Sequence, residues 1–255
     1  KDALAATSAL EKNSKTANTC FTVGGFATQS YLAREDRRET ADLDFAVLLP
    51  MDYDDFRDYS TSIRNTLNKL GYQCEMKKSS NNYKIFMQKD PSEGTFTVEF
   101  ARRNEQNMAR HIERLNEEFA NTRQKMIEGT NITYRVSSPE DIAIPKLVRC
   151  LSSLRRNPSF SEYFNFLEGN LDTAKKAELK KTIADLREDA AVDLGDATLS
   201  EELRFASDLY DVRLLSQTAG FNVPYLEKSS SRWDNLVPKN AMDNYFLSLV
   251  LPQLS

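Results

Sequence analysis

The stretch FTVGGFATQSYLAREDRRETADLDFAVLL, residues 21–49, decides the fold of this chain. An apolar segment leads to a Gly-Gly pair, an arginine-rich segment and two aspartates at the start of a second apolar run. We interpret it as strand, glycine turn, helix, basic loop and strand. Because side chains alternate across a strand, Asp42 and Asp44 should share one face, with Leu43 and Phe45 on the other. Two carboxylates so placed repel each other unless a cation lies between them, which predicts metal ligands.

Composition and size are those of an ordinary globular protein. The chain has 255 residues, enough for one large domain or two of usual size, with 40% hydrophobic and 28% charged residues. With a formal net charge of -4, the chain lacks the overall basic character that is typical of nucleic-acid-binding proteins. A local basic patch can be sufficient for such binding, so the class is not excluded. The three cysteines and one histidine are scattered, which argues against a zinc site and favours a reducing, cytoplasmic compartment. No apolar run reaches the roughly 20 residues of a membrane span, so no membrane association is expected.

Hydrophobic periodicity predicts alternating helices and strands in the first half of the chain. The clearest helix is 52–70, where apolar residues recur every three or four positions and Gly71 follows as a stop. The other predicted helices are 1–16, 26–33 and 104–125, and the predicted strands are 20–23, 41–49, 72–76, 83–88, 95–101 and 132–136.

A strong helix start, Ser138-Pro139-Glu140-Asp141, separates this half from a second one in which only helical patterns occur. Pro145 should kink or shorten the first of these helices. We therefore predict an α+β protein. Residues 1–136 would form a small mixed-sheet domain flanked by helices, and residues 137–255 an all-helical bundle.

The strand at 95–101 supplies a third acid. Its apolar residues alternate with Glu99, so this carboxylate should lie on the face that turns away from the core. If the two strands are neighbours, Glu99 joins Asp42 and Asp44. Such a trio suits two magnesium ions, with Mn²⁺ as the alternative, because these hard cations prefer carboxylate oxygen.

Phosphate ligands are predicted around the glycine pair. Gly24 and Gly25 open a helix, and bare backbone N–H groups there can cradle phosphates that glycine allows to approach closely. Arg37, Arg38 and the hydroxyl of Thr40 could add charge-assisted contacts. A Gly-Gly pair is more often only a turn. It indicates phosphate binding only when it is taken together with the arginines and aspartates that follow it in the chain.

In that order the motifs resemble a known family. Gly24-Gly25, then RETADLDF at 38–45 and VEF at 98–100, resemble the nucleotidyltransferases of the DNA polymerase beta superfamily. The most similar branch contains the abortive-infection type IV toxins, in which a helical domain follows. The third acid is glutamate here, where aspartate is commoner in the family. SSPEDIAIPKLVR at 137–149 resembles a helix start of that branch and puts Lys146 at the nucleotide phosphates or the leaving pyrophosphate; a plain surface lysine is the alternative.

The resemblance implies a metal-dependent transfer of NMP from an NTP to an acceptor hydroxyl, with release of pyrophosphate. Asp42 and Asp44 would bind both ions, and Glu99 would complete the metal shell on the acceptor side and accept the hydroxyl proton. RNA, such as a tRNA 3′ end, is the favoured acceptor, in a toxin-like role with a cognate antitoxin as a partner. A small acceptor such as an aminoglycoside, or an inactive nucleotide- or protein-binding module, are the alternatives. The implied triphosphate ligands are Gly24, Gly25, Arg38, Thr40 and Lys146.

Overall fold

The computed structural model describes residues 1–13, 19–40, 42–79, 82–92, 94–101, 103–166, 171–193 and 195–231. By its internal contacts the chain divides into two compact units. The first comprises Lys1–Ser30 and Glu39–Ser138, and the second comprises Tyr31–Arg38 with the chain from Pro139 onward.

One mixed sheet organises the first unit. Its strands, within the described residues, are β1 (Cys20–Val23), β2 (Asp42–Val47), β3 (Gln73–Lys78), β4 (Asn82–Gln88), β5 (Phe96–Ala101), β6 (Arg123–Met126) and β7 (Thr133–Val136). Their order across the sheet is β3-β4-β5-β2-β1-β7-β6. The central strand β2 runs parallel to β5 and antiparallel to β1.

Helices flank this sheet: α1 (Asp2–Asn13), α2 (Gly24–Gln29), α3 (Tyr53–Lys69) and α4 (Glu105–Ala120). The predicted apolar stripe of α3 is buried, with Phe56, Ile63 and Leu67 at 0% exposure. Its first turn is closed by a capping box between Asp52 and Asp55, which satisfies backbone N–H groups that have no partner within the helix.

The sheet separates two hydrophobic clusters. Leu43, Phe45 and Phe100 lie in the cluster that includes residues of α1 and α3. Phe21 and Ala46 pack on the other face, in the cluster that includes residues of α4. Because side chains alternate along β2, its aspartates lie on the Ala46 face, while its aromatic and branched residues fill the larger core.

The second unit is helical over its described residues. Its α-helices are α5 (Pro139–Arg156), α6 (Thr173–Val192), α7 (Ala197–Leu215) and α8 (Val223–Ser230), and Arg34–Asp36 and Pro158–Phe166 are 3₁₀ segments. Helix α5 packs against α7 and α8. Helix α7 is buried over its second half, where Phe205 meets a set of aromatic rings: Phe160, Tyr163 and Phe164.

The predicted fold class is confirmed: a mixed sheet flanked by helices, followed by helices. Several strand boundaries differ from the prediction by one or two residues, and three helices differ more. Helix α4 ends at Ala120, and the edge strand β6 follows it. This strand was not predicted because its short polar sequence, RQKM, has no alternation of hydrophobic and polar residues. Helix α2 starts at Gly24 and ends at Gln29, and α5 continues through Pro145 for its full length. Residues 14–16 of the first predicted helix lie outside the described residues.

In the described part of the chain, no helix has both the length and the apolar character needed to cross a lipid bilayer.

Candidate active site

The three predicted acids lie on one face of two neighbouring strands. In the parallel pairing of β2 with β5, Asp44 is opposite Glu99 and Asp42 is opposite Thr97. Facing residues of adjacent strands project from the same side of a sheet, so the backbone brings the acids together as the alternation predicts.

The carboxylates themselves have different partners. The hydroxyl of Thr40 donates a hydrogen bond to Oδ1 of Asp42 over 2.6 Å. Glu99 instead bonds to strand β4: Lys84 forms an ion pair with its Oε1, and Nδ2 of Asn82 donates to its Oε2 over 2.5 Å. In the described residues, no three His, Cys, Asp or Glu side chains are grouped so that they could hold a metal ion. The three-carboxylate metal site therefore stays a prediction.

Gly24 brings the glycine turn against the aspartate pair. Its φ is +72°, a left-handed conformation that side-chain-bearing residues rarely adopt. A Cβ at this position would lie 2.2 Å from Oδ2 of Asp44 and 3.1 Å from its Cγ. Only glycine therefore fits, and the first residue of the Gly24-Gly25 turn touches a predicted metal ligand.

The donor set at Asp42 and Asp44 is of a type that could hold a divalent ion. Both groups are hard oxygen donors, and residues two apart on one strand have Cα atoms about 7 Å apart, within reach of a shared ion. Thr40 orients Asp42 in the way that outer-shell hydrogen bonds orient ligating carboxylates. Glu99 differs, because the ammonium group of Lys84 already supplies a positive charge to it.

The two predicted phosphate-binding cations, Arg38 and Lys146, belong to the second unit, where they share an acidic partner. Nζ of Lys146 donates to Oδ1 of Asp208 over 2.9 Å and to Oδ2 of Asp211 over 2.8 Å. Arg38 bonds Asp211 through two guanidinium nitrogens, at 2.9 and 2.5 Å. Arg149 bonds Asp208 in the same bidentate way, at 2.8 and 2.9 Å.

Burial and charge act in opposite directions on the pKa values of this network. Burial alone would lower the pKa of Lys146, but Asp211 and Asp208 outweigh it and raise the pKa above its ordinary value. Burial alone would raise the pKa of Asp208, but Lys146 and then Arg149 outweigh it and lower the pKa. Lys146 is 2% exposed, so the alternative of a plain surface lysine is wrong. The phosphate-binding roles of Arg38 and Lys146 stay predictions.

Sequence reasoning missed the two acids of this network, Asp208 and Asp211. The available signal was a pair of aspartates three residues apart within FASDLYDVRLL, residues 205–215, which is otherwise mostly apolar and is buried throughout. Charged groups in a segment of this kind need partners, because an unpaired buried charge is very costly. Two aspartates in such a segment therefore indicate one half of a buried ion-pair network.

Comparisons with known proteins give similarities of structure alone. No protein-family model matches the sequence, and no curated protein matches it. A solved structure of an antigenic nucleotidyltransferase-like protein from Paracoccidioides brasiliensis is similar, with 14% identity, a TM-score of 0.45, and coverage of 98% of this chain and 92% of that one. MenT4, a nucleotidyltransferase toxin from Mycobacterium tuberculosis, has 12% identity, a TM-score of 0.40, and coverage of 100% and 91%. JHP933 from Helicobacter pylori has 19% identity, a TM-score of 0.31, and coverage of 90% and 93%.

Proposed function

We propose that this protein is a metal-dependent nucleotidyltransferase. It would move an NMP unit from an NTP to an acceptor hydroxyl and release pyrophosphate. The observation that carries the proposal is the close approach of the glycine turn to the aspartate pair, where a Cβ on Gly24 would overlap Oδ2 of Asp44. A triphosphate bound at such a turn would lie beside carboxylates suited to a divalent ion.

The predicted site residues of the first unit would have separate roles in this reaction. Asp42 and Asp44 would hold the divalent metal, Mg²⁺ or Mn²⁺, and Thr40, whose hydroxyl bonds Oδ1 of Asp42, would fix the orientation of that carboxylate. The bound ion supplies Lewis-acid stabilisation of the charge that develops on phosphate oxygens. Gly24 and Gly25 give the triphosphate access to the backbone.

Bond making and breaking follow from the class of reaction. The acceptor oxygen forms a bond to the α-phosphorus, and the bond between this phosphorus and the pyrophosphate oxygen breaks. Glu99, which lies opposite Asp44 on the same face of the sheet, would take the acceptor's proton. Arg38 and Lys146 are included as triphosphate ligands on the sequence resemblance alone. Catalysis then rests mainly on positioning and electrostatics.

The sequence resemblance also supplies the proposed acceptor and setting. RNA is the acceptor that we favour, with a tRNA 3′ end as its simplest form, in a toxin-like role that a cognate antitoxin would restrain. A cytoplasmic location is consistent with Cys20, Cys74 and Cys150, all of which are free thiols.

The test uses the full chain with magnesium, bulk RNA and NTPs labelled on either the α- or the γ-phosphate. Transfer of an NMP unit predicts that the α-label enters RNA and that the γ-label leaves as pyrophosphate. The variants Asp42→Asn and Asp44→Asn should lose this transfer, because they remove metal-binding charge. Asp58→Asn is the matched control, since Asp58 is a highly exposed aspartate on α3 and should leave transfer unchanged.

Other outcomes redirect or refute the proposal. Label that enters only an added aminoglycoside identifies a small-molecule acceptor instead of RNA. Nucleotide binding without transfer, unaffected by Asp44→Asn, refutes the enzyme and leaves a binding module.

A further inference from the structure

A row of charged residues crosses the face of the sheet that carries the predicted acids. In successive strand pairings Lys77 is opposite Lys84, Lys84 is opposite Glu99, Glu99 is opposite Asp44, and Asp44 is opposite Val23. Residues directly opposite each other in adjacent strands have Cβ atoms about 4.5–5.5 Å apart. Glu99 therefore lies between a lysine on one side and a predicted metal ligand on the other.

The carboxylate of Glu99 is held on the lysine side. Lys84 forms an ion pair with Oε1, and Nδ2 of Asn82 donates to Oε2 over 2.5 Å, so both oxygens have a donor from β4. The pair is partly shielded from solvent, with side-chain exposures of 27% for Lys84 and 14% for Glu99. Hydrogen bonds between charged partners are stronger than those between neutral ones, and partial burial reduces their screening by salt.

We propose that the ammonium group of Lys84 neutralises Glu99, the third predicted acid, in place of a second metal ion. The site would then take one divalent ion, on Asp42 and Asp44, and Lys84 would position Glu99 where a second ion would otherwise bind. This inference rests on the proposed function, because it concerns the metal content of the same site.

The physical reason is competition between cations for one carboxylate. A divalent ion bound to Glu99 would lie within a few ångströms of the ammonium group of Lys84, and like charges at that distance repel strongly where water is partly excluded. Lys84 is also held opposite Glu99 by the pairing of β4 with β5, so it competes for this carboxylate as a tethered group and not as a free ion.

The test counts bound ions. Mn²⁺ is titrated into the full chain, alone and with a non-hydrolysable NTP analogue, and bound Mn²⁺ is followed by electron paramagnetic resonance. The wild type should bind one ion, and Lys84→Met should bind two, because Glu99 becomes available. The second ion should be lost again in Lys84→Met/Glu99→Gln. Lys77→Met is the matched control: it removes the same charge from the same face, but Lys77 pairs with Glu75, so one ion should remain.

The outcomes separate this inference from the proposed function. Two ions in the wild type, or only one in Lys84→Met, overturn the role of Lys84. If Lys84→Met does not fold, Lys84→Gln gives the same readout with a polar side chain. Asp44→Asn tests the proposed function independently: it should abolish the single ion of the wild type. Unchanged Mn²⁺ affinity in that variant refutes the metal site on the aspartates, whatever the Lys84 variants show.

Discussion

Gly24→Ala tests directly whether the glycine turn and the carboxylate of Asp44 compete for the same space. An alanine Cβ at this position would lie 2.2 Å from Oδ2 of Asp44, more than 1 Å closer than ordinary contact, which begins near 3.4 Å. Rotation of the carboxylate could move Oδ2 away, but Cβ of Asp44, at 3.3 Å, is fixed by strand β2. The variant therefore has to turn the Asp44 carboxylate away from its position beside the glycine and to shift the strand or the turn slightly.

Gly24→Ala should be destabilised by two effects, backbone strain and overpacking. Gly71→Ala serves as a control that has the backbone strain alone. The left-handed conformation of an alanine costs about 1–2 kcal/mol, and overpacking of a tight site costs about 1–3 kcal/mol. Gly71 has φ +89°, but its nearest neighbour would be Cε of Lys89 at 3.9 Å, so Gly71→Ala carries only the first cost. We expect Gly24→Ala to lower the free energy of unfolding by about 1–3 kcal/mol more than Gly71→Ala does.

The free energy of unfolding of both variants is measured by urea titration followed by circular dichroism. Combining Gly24→Ala with Asp44→Ala then tests whether contact with the Asp44 side chain causes the extra destabilisation. Asp44→Ala removes Oδ2 and Cγ, so most of the excess cost of Gly24→Ala should disappear when the two substitutions are combined. Equal destabilisation by Gly24→Ala and Gly71→Ala would refute the reasoning. An excess that persists in the Asp44→Ala background would refute it as well.

Two further predictions concern the second unit. Asp208→Asn breaks a buried ion pair with Lys146 and should lower the free energy of unfolding by about 3–5 kcal/mol, whereas the exposed Asp185→Asn should have little effect in the same urea titration. Because the folded-state pKa of Asp208 is lowered, its contribution is complete above the unfolded pKa of about 3.9 and is lost as pH falls through the folded pKa. The difference between wild type and Asp208→Asn should therefore shrink as pH falls below about 4, and a difference that grows there would contradict the assignment. Tyr225→Phe removes a hydroxyl that bonds both oxygens of Asp141, at 3.0 and 2.9 Å, and should cost about 1.5–3 kcal/mol by urea unfolding; a loss within about 0.5 kcal/mol would show that the bond contributes little.

Much of the architecture follows from local patterns in the sequence. Alternation along β2 and β5 puts Asp42, Asp44 and Glu99 on one face, because the pleat of a strand depends only on consecutive residues. The apolar stripe of α3 predicts its buried side for the same reason. The position of Gly24 before the aspartates also indicates a glycine turn near them, although its distance from Asp44 does not follow from spacing.

Only the tertiary structure decided which partner each charged group has. Lys84 reaches Glu99 through the register between β4 and β5, and register is fixed by packing of whole strands. Lys146 meets Asp208 and Asp211 across 62 and 65 residues of sequence, through the packing of α5 on α7. Local periodicity determines which face of an element a side chain occupies, but the group opposite it depends on how distant elements pack together.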